Sequence, residues 1–286
     1  MENLAQNIIN GLMMGGIYAL IVLGLSIIFG VMNVVNFAHG DFVMLSMYGT
    51  FLVATWLNWD AIATPLITFP VMFLVGVITY YILIQPTLRE KYVMQIAVTV
   101  GLQYLFRALT QIAFKASPRA LNFSIIQGNI EIGGLTILSS RLISFAVSLL
   151  VIFAVYIFLS KSWAGKAIRA ASDDLDVASL VGVNYHRTYA ITFGLGTGLT
   201  AVAGGLLMTF QQVGPLMGMS FGLLSWVVLA MAGLGSTSGV LISGLIVGVA
   251  ESLAIAYWDP RARLLVVYML FILVLWIKPR GLFGRK

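Results

Sequence analysis

Two long stretches of this sequence carry no charged side chain. Between Glu2 and Asp41 the only group that can take up a charge is His39, and between Arg187 and Glu251 there is none. A helix that crosses the hydrocarbon core of a bilayer needs about 20 mainly apolar residues, so several such helices fit into these stretches. Only 9% of the chain is charged, whereas a soluble domain has about 25% charged residues. The sequence therefore predicts an all-α integral membrane protein.

Apolar runs of spanning length recur along the whole chain and predict a multi-span helical bundle of about eight to nine transmembrane segments, some of them broken. We expect one transmembrane domain, residues 1–286, and a first span that is retained and is not a signal peptide, because no basic segment precedes it. The last long run is divided by the glycine-rich stretch 233–239. The predicted spans are 11–31, 42–57, 62–84, 93–114, 142–159, 188–210, two pieces within 221–256, and 264–277.

The distribution of Lys and Arg predicts the orientation in the membrane. With residues 89–91, 161–187 and 278–286 on one side, that side carries about twice as many Lys and Arg as the other. Cytoplasmic loops are enriched in these residues. We therefore expect a cytoplasmic segment at 161–187, a cytoplasmic C-terminus, an external loop at 115–140 and, if the divided run makes two passes, an external N-terminus.

The segment 163–184 is the most charged interruption between apolar runs and cannot lie in lipid. Ser172 precedes two acidic residues, a pattern typical of a helix N-cap, and Gly182 fits the position after a helix end. The pattern predicts a short helix from Asp173 to Val181. It is either a solvated loop that happens to be helical or a surface that a soluble partner binds.

The chain offers little for catalysis or cofactor binding. It contains no cysteine and two distant histidines, so neither a thiolate site nor a zinc site is predicted. The glycine-rich stretch 233–239 lacks the Lys-Ser or Lys-Thr of a Walker A motif, so any ATP that energises transport must bind to another subunit. The basic residues sit at the ends of apolar runs and not on one face, which argues against a nucleic-acid partner. We expect no cofactor and no enzymatic activity in this chain.

Polar residues at membrane depth are candidates for a translocation path. A charge there costs about 2.5–3.5 kcal/mol and therefore usually faces a cavity or a partner. Structural roles remain open: Asp41 would cap a helix that starts at Phe42, Glu251 and Arg107 would form ion pairs, and His39 would hydrogen-bond at a helix end. The candidates for the path are Asn33, Asn36, His39, Asp41 and Glu251.

Two weaker patterns add detail. The stretches 36–49 and 220–233 both place a glycine-interrupted segment near a helix rich in small residues, and paired broken helices in two halves are typical of transporters with a site at mid-membrane. Within the external loop, the stretches 123–126 and 129–132 with a turn at Gly133-Gly134 suggest a small hairpin.

Three stretches resemble the permease subunits of branched-chain amino acid ABC importers, specifically the H-type subunit. They are 33–48, with Asn-Phe-Ala-His-Gly-Asp; 165–187, with Gly-Lys-Ala-Ile-Arg-Ala followed by Gly-Val-Asn; and 279–284, Pro-Arg-Gly-Leu-Phe-Gly. The resemblance covers nearly the whole chain in order. It implies the ABC importer permease fold, a place in the cell (inner) membrane and transport by alternating access.

The resemblance also implies a coupling segment that inserts into a groove of an ATPase subunit. This chain has Arg169 where the strict motif has a glutamate. Implied partners are an M-type permease, two ATP-binding subunits, an external solute-binding protein and the lipid bilayer. The residues assigned to coupling are Gly165, Arg169, Ala170, Ala171, Asp173, Asp174, Ala178 and Gly182.

Two alternatives remain open at this point. Sister systems with a similar motif suggest a permease of the same architecture for urea, short amides or other amino acids. A different class, an ion-coupled secondary transporter, would use Asp41 and Glu251 as its coupling carboxylates.

Overall fold

The computed structural model describes residues 2–121 and 128–284. A π-helical turn, Tyr80–Ile84, joins α3 to α4, so residues 65–87 form one rod, and a 3-10 turn, Pro260–Ala262, leads into α12. The helices are α1 (Glu2–Met32), α2 (His39–Leu57), α3 (Pro65–Thr79), α4 (Gln85–Thr87), α5 (Tyr92–Phe114), α6 (Ser139–Lys161), α7 (Trp163–Asp173), α8 (Leu175–Leu180), α9 (Tyr185–Met208), α10 (Met217–Ala232), α11 (Thr237–Tyr257) and α12 (Arg263–Ile277).

Eight helical segments of the described residues are long and apolar enough to span a membrane, and α10 is a shorter apolar helix of 16 residues. The predicted spans thus agree with the helices, although α1 is longer than the predicted 11–31. The division of 221–256 is also confirmed, because α10 ends before Gly233 and α11 starts after Ser236, which accepts a hydrogen bond from the Gly239 N–H at 3.2 Å.

The loop 115–140, which was predicted to be external, contains one antiparallel hairpin in its described part, β1 (Asn129–Ile132) and β2 (Leu135–Leu138). Its turn is Gly133-Gly134, both with positive φ, as expected. The strand that pairs with β1 is β2, which follows this turn. The other predicted stretch, 123–126, lies within 122–127, outside the described residues.

Contacts of α1 define two ends of the bundle. We call them the coupling end, after the predicted coupling segment, and the far end. At the coupling end, the Ser172 hydroxyl donates to the Gly30 carbonyl at 2.6 Å, and Gly30 lies against Gly235. At the far end, Gln6 bonds to the backbone of Thr136, next to the hairpin. The described basic residues of the coupling end outnumber those of the far end, which is the distribution from which the orientation was predicted, and the orientation itself stays a prediction. The coupling end carries Arg89, Lys91, Lys161, Lys166, Arg169, Arg187, Lys278 and Arg280, and the far end carries Lys115, Arg119, Arg141, Arg261 and Arg263.

The bundle is organised around α1 and α9, which are its most buried spans, whereas α6 and α12 lie at the periphery. α1 crosses α11 through glycines: a Cβ at Gly15 would lie 2.7 Å from the backbone of Gly244 and Leu245. Such small residues allow helices to approach closely in lipid, where no hydrophobic effect drives them together.

Helices α2 and α10 start inside the bundle and run in opposite directions. The His39 Nε2 lies 2.9 Å from the Ile21 carbonyl oxygen, and Ile21 is about 16 Å from the end of α1 at 1.5 Å per residue. Residues 33–38 therefore run back into the bundle, where the Thr99 hydroxyl donates to the Val35 carbonyl at 3.0 Å. The first turn of α10 packs on that of α2 through Gly218 and Gly222.

From this meeting point α2 runs to the far end and α10 to the coupling end. The two helices thus start side by side and run in opposite directions, a direction that the internal similarity did not predict, and the repeat itself stays a prediction. The aligned stretches 36–49 and 220–233 are out of register, because the first begins before its helix and the second inside it.

Candidate functional site

The coupling segment, residues 161–187, folds into two short helices instead of the single predicted one. Ser162 caps α7 by accepting from the Gly165 N–H at 2.9 Å, and Asp174 caps α8 by accepting from the Val177 N–H at 3.0 Å. The prediction of Ser172 as the N-cap was wrong. Ser172 lies inside α7, and its hydroxyl bonds to Gly30 of α1 instead.

Gly182 ends α8 as predicted. Its φ is +89°, a left-handed conformation that costs glycine little. Its N–H donates to the Ser179 carbonyl at 3.1 Å, and the Val183 N–H donates to the Ala178 carbonyl at 3.0 Å. These are the two hydrogen bonds of a Schellman motif, which fixes the direction of the chain after α8.

The small residues assigned to coupling mostly face the membrane helices. Ala171 and Ala178 are buried, and a Cβ at Gly165 would overlap the backbone of Phe158 and Leu159 in α6. Ala170 is half-buried, whereas Arg169 is exposed and donates to the Ser160 carbonyl at 3.1 Å. Gly165 and Ala171 therefore hold α7 on the bundle, whereas Ala178 is the one buried residue of α8.

The outward surface of α8 is apolar. Leu180 is 86% exposed, Val181 75% and Val177 56%. We call these three residues the apolar ridge. The acidic residues Asp173, Asp174 and Asp176 are exposed nearby. An apolar patch with a polar rim in a water-facing segment is typical of an interaction site, and sequence patterning did not single out the ridge.

A buried ion pair lies where α2 and α10 meet. Arg107 Nε donates to Asp41 Oδ1 at 2.8 Å, and Arg107 Nη2 donates to Asp41 Oδ2 at 3.1 Å. Asp41 is fully buried, and Gly218 of α10 leaves room for its carboxylate. The alternative in which Asp41 caps a helix starting at Phe42 was wrong, because α2 starts at His39 and has no side-chain cap.

Of the five residues predicted for the translocation path, Asn36, His39 and Asp41 lie together at the start of α2. All three are fully buried, and the amide of Asn36 has no hydrogen-bond partner among the described residues. His39 hydrogen-bonds to Ile21, the structural role that the sequence left open. Asn33 lies apart from them, exposed at the end of α1 with φ +51°.

Glu251 belongs to a different cluster. The Tyr18 hydroxyl donates to Glu251 Oε2 at 2.6 Å, and Arg263 Nη1 lies 3.3 Å from Glu251 Oε1. Glu251 and Arg107 each form an ion pair, as predicted. Glu251 pairs with Arg263, and Arg107 pairs with Asp41. Tyr18 was not predicted, because a tyrosine in an apolar run gives no signal of its partner. Within the described ranges, no group of three or more His, Cys, Asp or Glu residues could hold a metal ion.

The C-terminal stretch 279–284 docks on the turn between α10 and α11. The Leu282 N–H donates to the Met231 carbonyl at 2.7 Å, and the Phe283 N–H donates to the Ala232 carbonyl at 3.1 Å. Gly281, with φ +82°, passes so close to Gly233 that a Cβ would lie 2.5 Å from the Gly233 nitrogen. The tail therefore packs on the turn that separates α10 from α11.

Nearly the whole chain is similar to known proteins. The family model described as branched-chain amino acid transport system / permease component matches residues 7–275. The chain is 32% identical to the high-affinity branched-chain amino acid transport system permease protein LivH of Salmonella typhimurium, and the match covers 98% of this chain and 95% of that protein. It is 30% identical, with the same coverage, to the corresponding protein BraD of Pseudomonas aeruginosa.

A solved structure supports the fold. A chain of PsaBC from Streptococcus pneumoniae, solved in complex with Fab, superposes with a TM-score of 0.52 at 14% identity, over 95% of this chain and 91% of that one. The helical membrane fold and the multi-pass location in the inner membrane agree with LivH and BraD, which are named as permease proteins of transport systems and not as enzymes. The chain belongs to the permease component family of branched-chain amino acid transport systems.

Proposed function

We propose that this chain is one of two permease subunits of an ATP-driven, binding-protein-dependent importer of branched-chain amino acids. Its partners are an M-type permease, two ATP-binding subunits and an external solute-binding protein. The names of the relatives support the substrate class, since LivH and BraD are both described as high-affinity branched-chain amino acid permeases.

The apolar ridge is the observation that carries the proposed coupling to an ATPase. It lies at the end of the bundle where basic residues are concentrated, and each of its three side chains is more than half exposed. A soluble ATPase subunit with an apolar groove would cover Val177, Leu180 and Val181, while Asp173, Asp174 and Asp176 would set the orientation through charge. Asp174 also fixes the start of the helix that presents the ridge.

In the proposed transport cycle, the coupling helices α7 and α8 move first, and the two permease subunits then rearrange. ATP binding would close the paired ATPases and displace α8 together with α7, and α7 is attached to α6 through Gly165 and to α1 through Ser172. The two permeases would then rearrange so that the path opens to one side of the membrane and then to the other. Asn36, His39 and Asp41, at the meeting point of α2 and α10, are the proposed path residues of this chain; the roles of Asn33 and Glu251 in the path remain predictions.

Uptake by the purified complex tests this function. Proteoliposomes with ATP in the lumen should accumulate labelled leucine that is offered with the binding protein outside, and vesicles with a non-hydrolysable analogue should not. Competition by isoleucine and valine, but not by urea or short amides, would support the substrate class; the reverse order of competition would favour the related permease function.

The ion-coupled alternative makes the opposite prediction. It requires a carboxylate that binds and releases an ion or proton, whereas Asp41 and Glu251 are each held by an arginine and lie in separate clusters. Leucine uptake driven by a proton or sodium gradient, without any ATPase subunit, would favour that alternative and contradict the proposed importer.

A further inference from the structure

A cavity of about 410 Å³, lined by polar and apolar residues, opens at the coupling end between the membrane helices and α8. Cavities that hold small ligands usually measure about 300–1,000 Å³. Its lining includes Gln85, Arg89 and Gln95, from α4 to the first turn of α5, and Asp176 and Ser179 of α8. The cavity is separate from the path residues at the start of α2.

Its lining combines groups that recognise the two ends of a zwitterion. Arg89 is a donor for a carboxylate, and Asp176 is an acceptor for an ammonium group. Gln95, which lines the cavity, is 92% buried, and its Oε1 has no hydrogen-bond partner within residues 2–121 and 128–284. Met32, Leu88 and Leu175 add an apolar part to the same cavity. A free α-amino acid with an aliphatic side chain matches this combination of charges and apolar surface.

The residues that line the cavity come from α8 and from the membrane helices, which the proposed transport cycle would move apart. α8 has six residues, and among them Ala178 is the only buried one, so α8 is weakly attached. α9, by contrast, is held in the bundle. Its His186, which also lines the cavity, forms a 3.1 Å hydrogen bond from Nδ1 to the hydroxyl of the buried Tyr80. A ligand that joins Arg89 to Asp176 would hold α8 against the membrane helices.

We propose that this cavity is a cytoplasmic regulatory site that binds a free branched-chain amino acid and slows further import when the product accumulates. The proposal rests on the proposed function for its substrate class. The ligand would restrain the helix that carries the apolar ridge, and so oppose the displacement that ATP binding produces.

The test compares uptake with and without product inside the vesicle. Proteoliposomes of the whole complex contain ATP and either no leucine or unlabelled leucine, and each variant is normalised to its own rate without internal leucine. Internal leucine should lower the rate several-fold in the unmodified protein. Arg89→Gln and Asp176→Asn should remove this inhibition, because each loses a charge-assisted hydrogen bond, which corresponds to about tenfold weaker binding or more. Glu90→Gln is the matched control and should retain the inhibition.

A direct measurement separates this proposal from the proposed function. Labelled leucine should bind saturably to the complex without its binding protein, and Arg89→Gln should weaken a class of sites that Glu90→Gln leaves unchanged. Equal inhibition and equal binding in all variants, or no inhibition by internal leucine, would overturn the regulatory site while uptake still supports the importer. Absence of leucine uptake in every preparation would contradict the importer, and the binding measurement would then decide on the cavity alone.

Discussion

The Asp41–Arg107 pair should show strong energetic coupling. The two groups form a bidentate contact at 2.8 and 3.1 Å, and Asp41 is fully buried. With about 4 Å between the centres of charge and an effective dielectric constant of about 20, their attraction is about 4 kcal/mol. Removal of one partner of a buried pair costs about 3–5 kcal/mol, because the remaining charge is left without compensation.

The experiment is a double-mutant cycle on the purified complex. Asp41→Asn and Arg107→Gln should each lower the free energy of unfolding, measured by titration with a denaturing detergent, by about 3 kcal/mol or more. The double variant should lose less than the sum of the two, with a coupling energy of about 2–4 kcal/mol. Glu131→Gln, on the exposed hairpin, is the control and should change the stability by less than about 0.5 kcal/mol.

Two outcomes would refute this reasoning. If the two single effects add within about 0.5 kcal/mol, the pair is not coupled. If Asp41→Asn is as stable as the unmodified complex, the carboxylate is not an ionised partner of Arg107. Uptake by the same variants then tests a role in the path: we expect Asp41→Asn to reduce transport more than assembly, and equal loss of both would make the pair purely structural.

Three further predictions concern the coupling end. Gly182→Val should uncouple ATP hydrolysis from uptake, because valine disfavours a φ of +89°. The control Gly101→Val, at a helical glycine with open space around it, should leave the ratio of hydrolysis to uptake unchanged. Equal ratios in the two variants would contradict the role of the helix end. Asp174→Ala should destabilise α8 by about 1 kcal/mol and speed hydrogen exchange of its amides, and unchanged exchange would show that the cap is dispensable. Gly281→Ala should release the tail to proteolysis, since its Cβ would meet Gly233, while Gly214→Ala should not; equal cleavage of both would count against tail docking.

Long apolar runs made the membrane spans predictable, because their length and composition are local properties of the sequence. The same holds for the end of α8, where the positive φ at Gly182 follows from local chain geometry. The start of α8 was harder. Ser172 and Asp174 are both good N-cap residues, and the choice was made by a tertiary contact, since Gly30 of α1 takes up the Ser172 hydroxyl.

Depth in the membrane and the identity of ion-pair partners were not predictable from the sequence. α2 starts deep in the bundle because His39 meets Ile21 and Thr99 meets Val35, contacts between residues far apart in the chain. For the same reason nothing in the sequence joins Tyr18 to Glu251, which are separated by 233 positions. The apolar ridge was missed because its residues resemble core residues until their exposure is known.

Docking of an ATPase on the apolar ridge is the central claim, and a single cysteine tests it most directly. The chain has no cysteine of its own, so Leu180→Cys provides a unique label at the most exposed position of the ridge. Trp258→Cys, 69% exposed at the far end, is the control. A membrane-impermeant maleimide should modify Leu180→Cys only from the cytoplasmic side and Trp258→Cys only from outside, and ATPase subunits should protect the first but not the second. Labelling of Leu180→Cys from outside, or equal labelling with and without the ATPase subunits, would contradict the account.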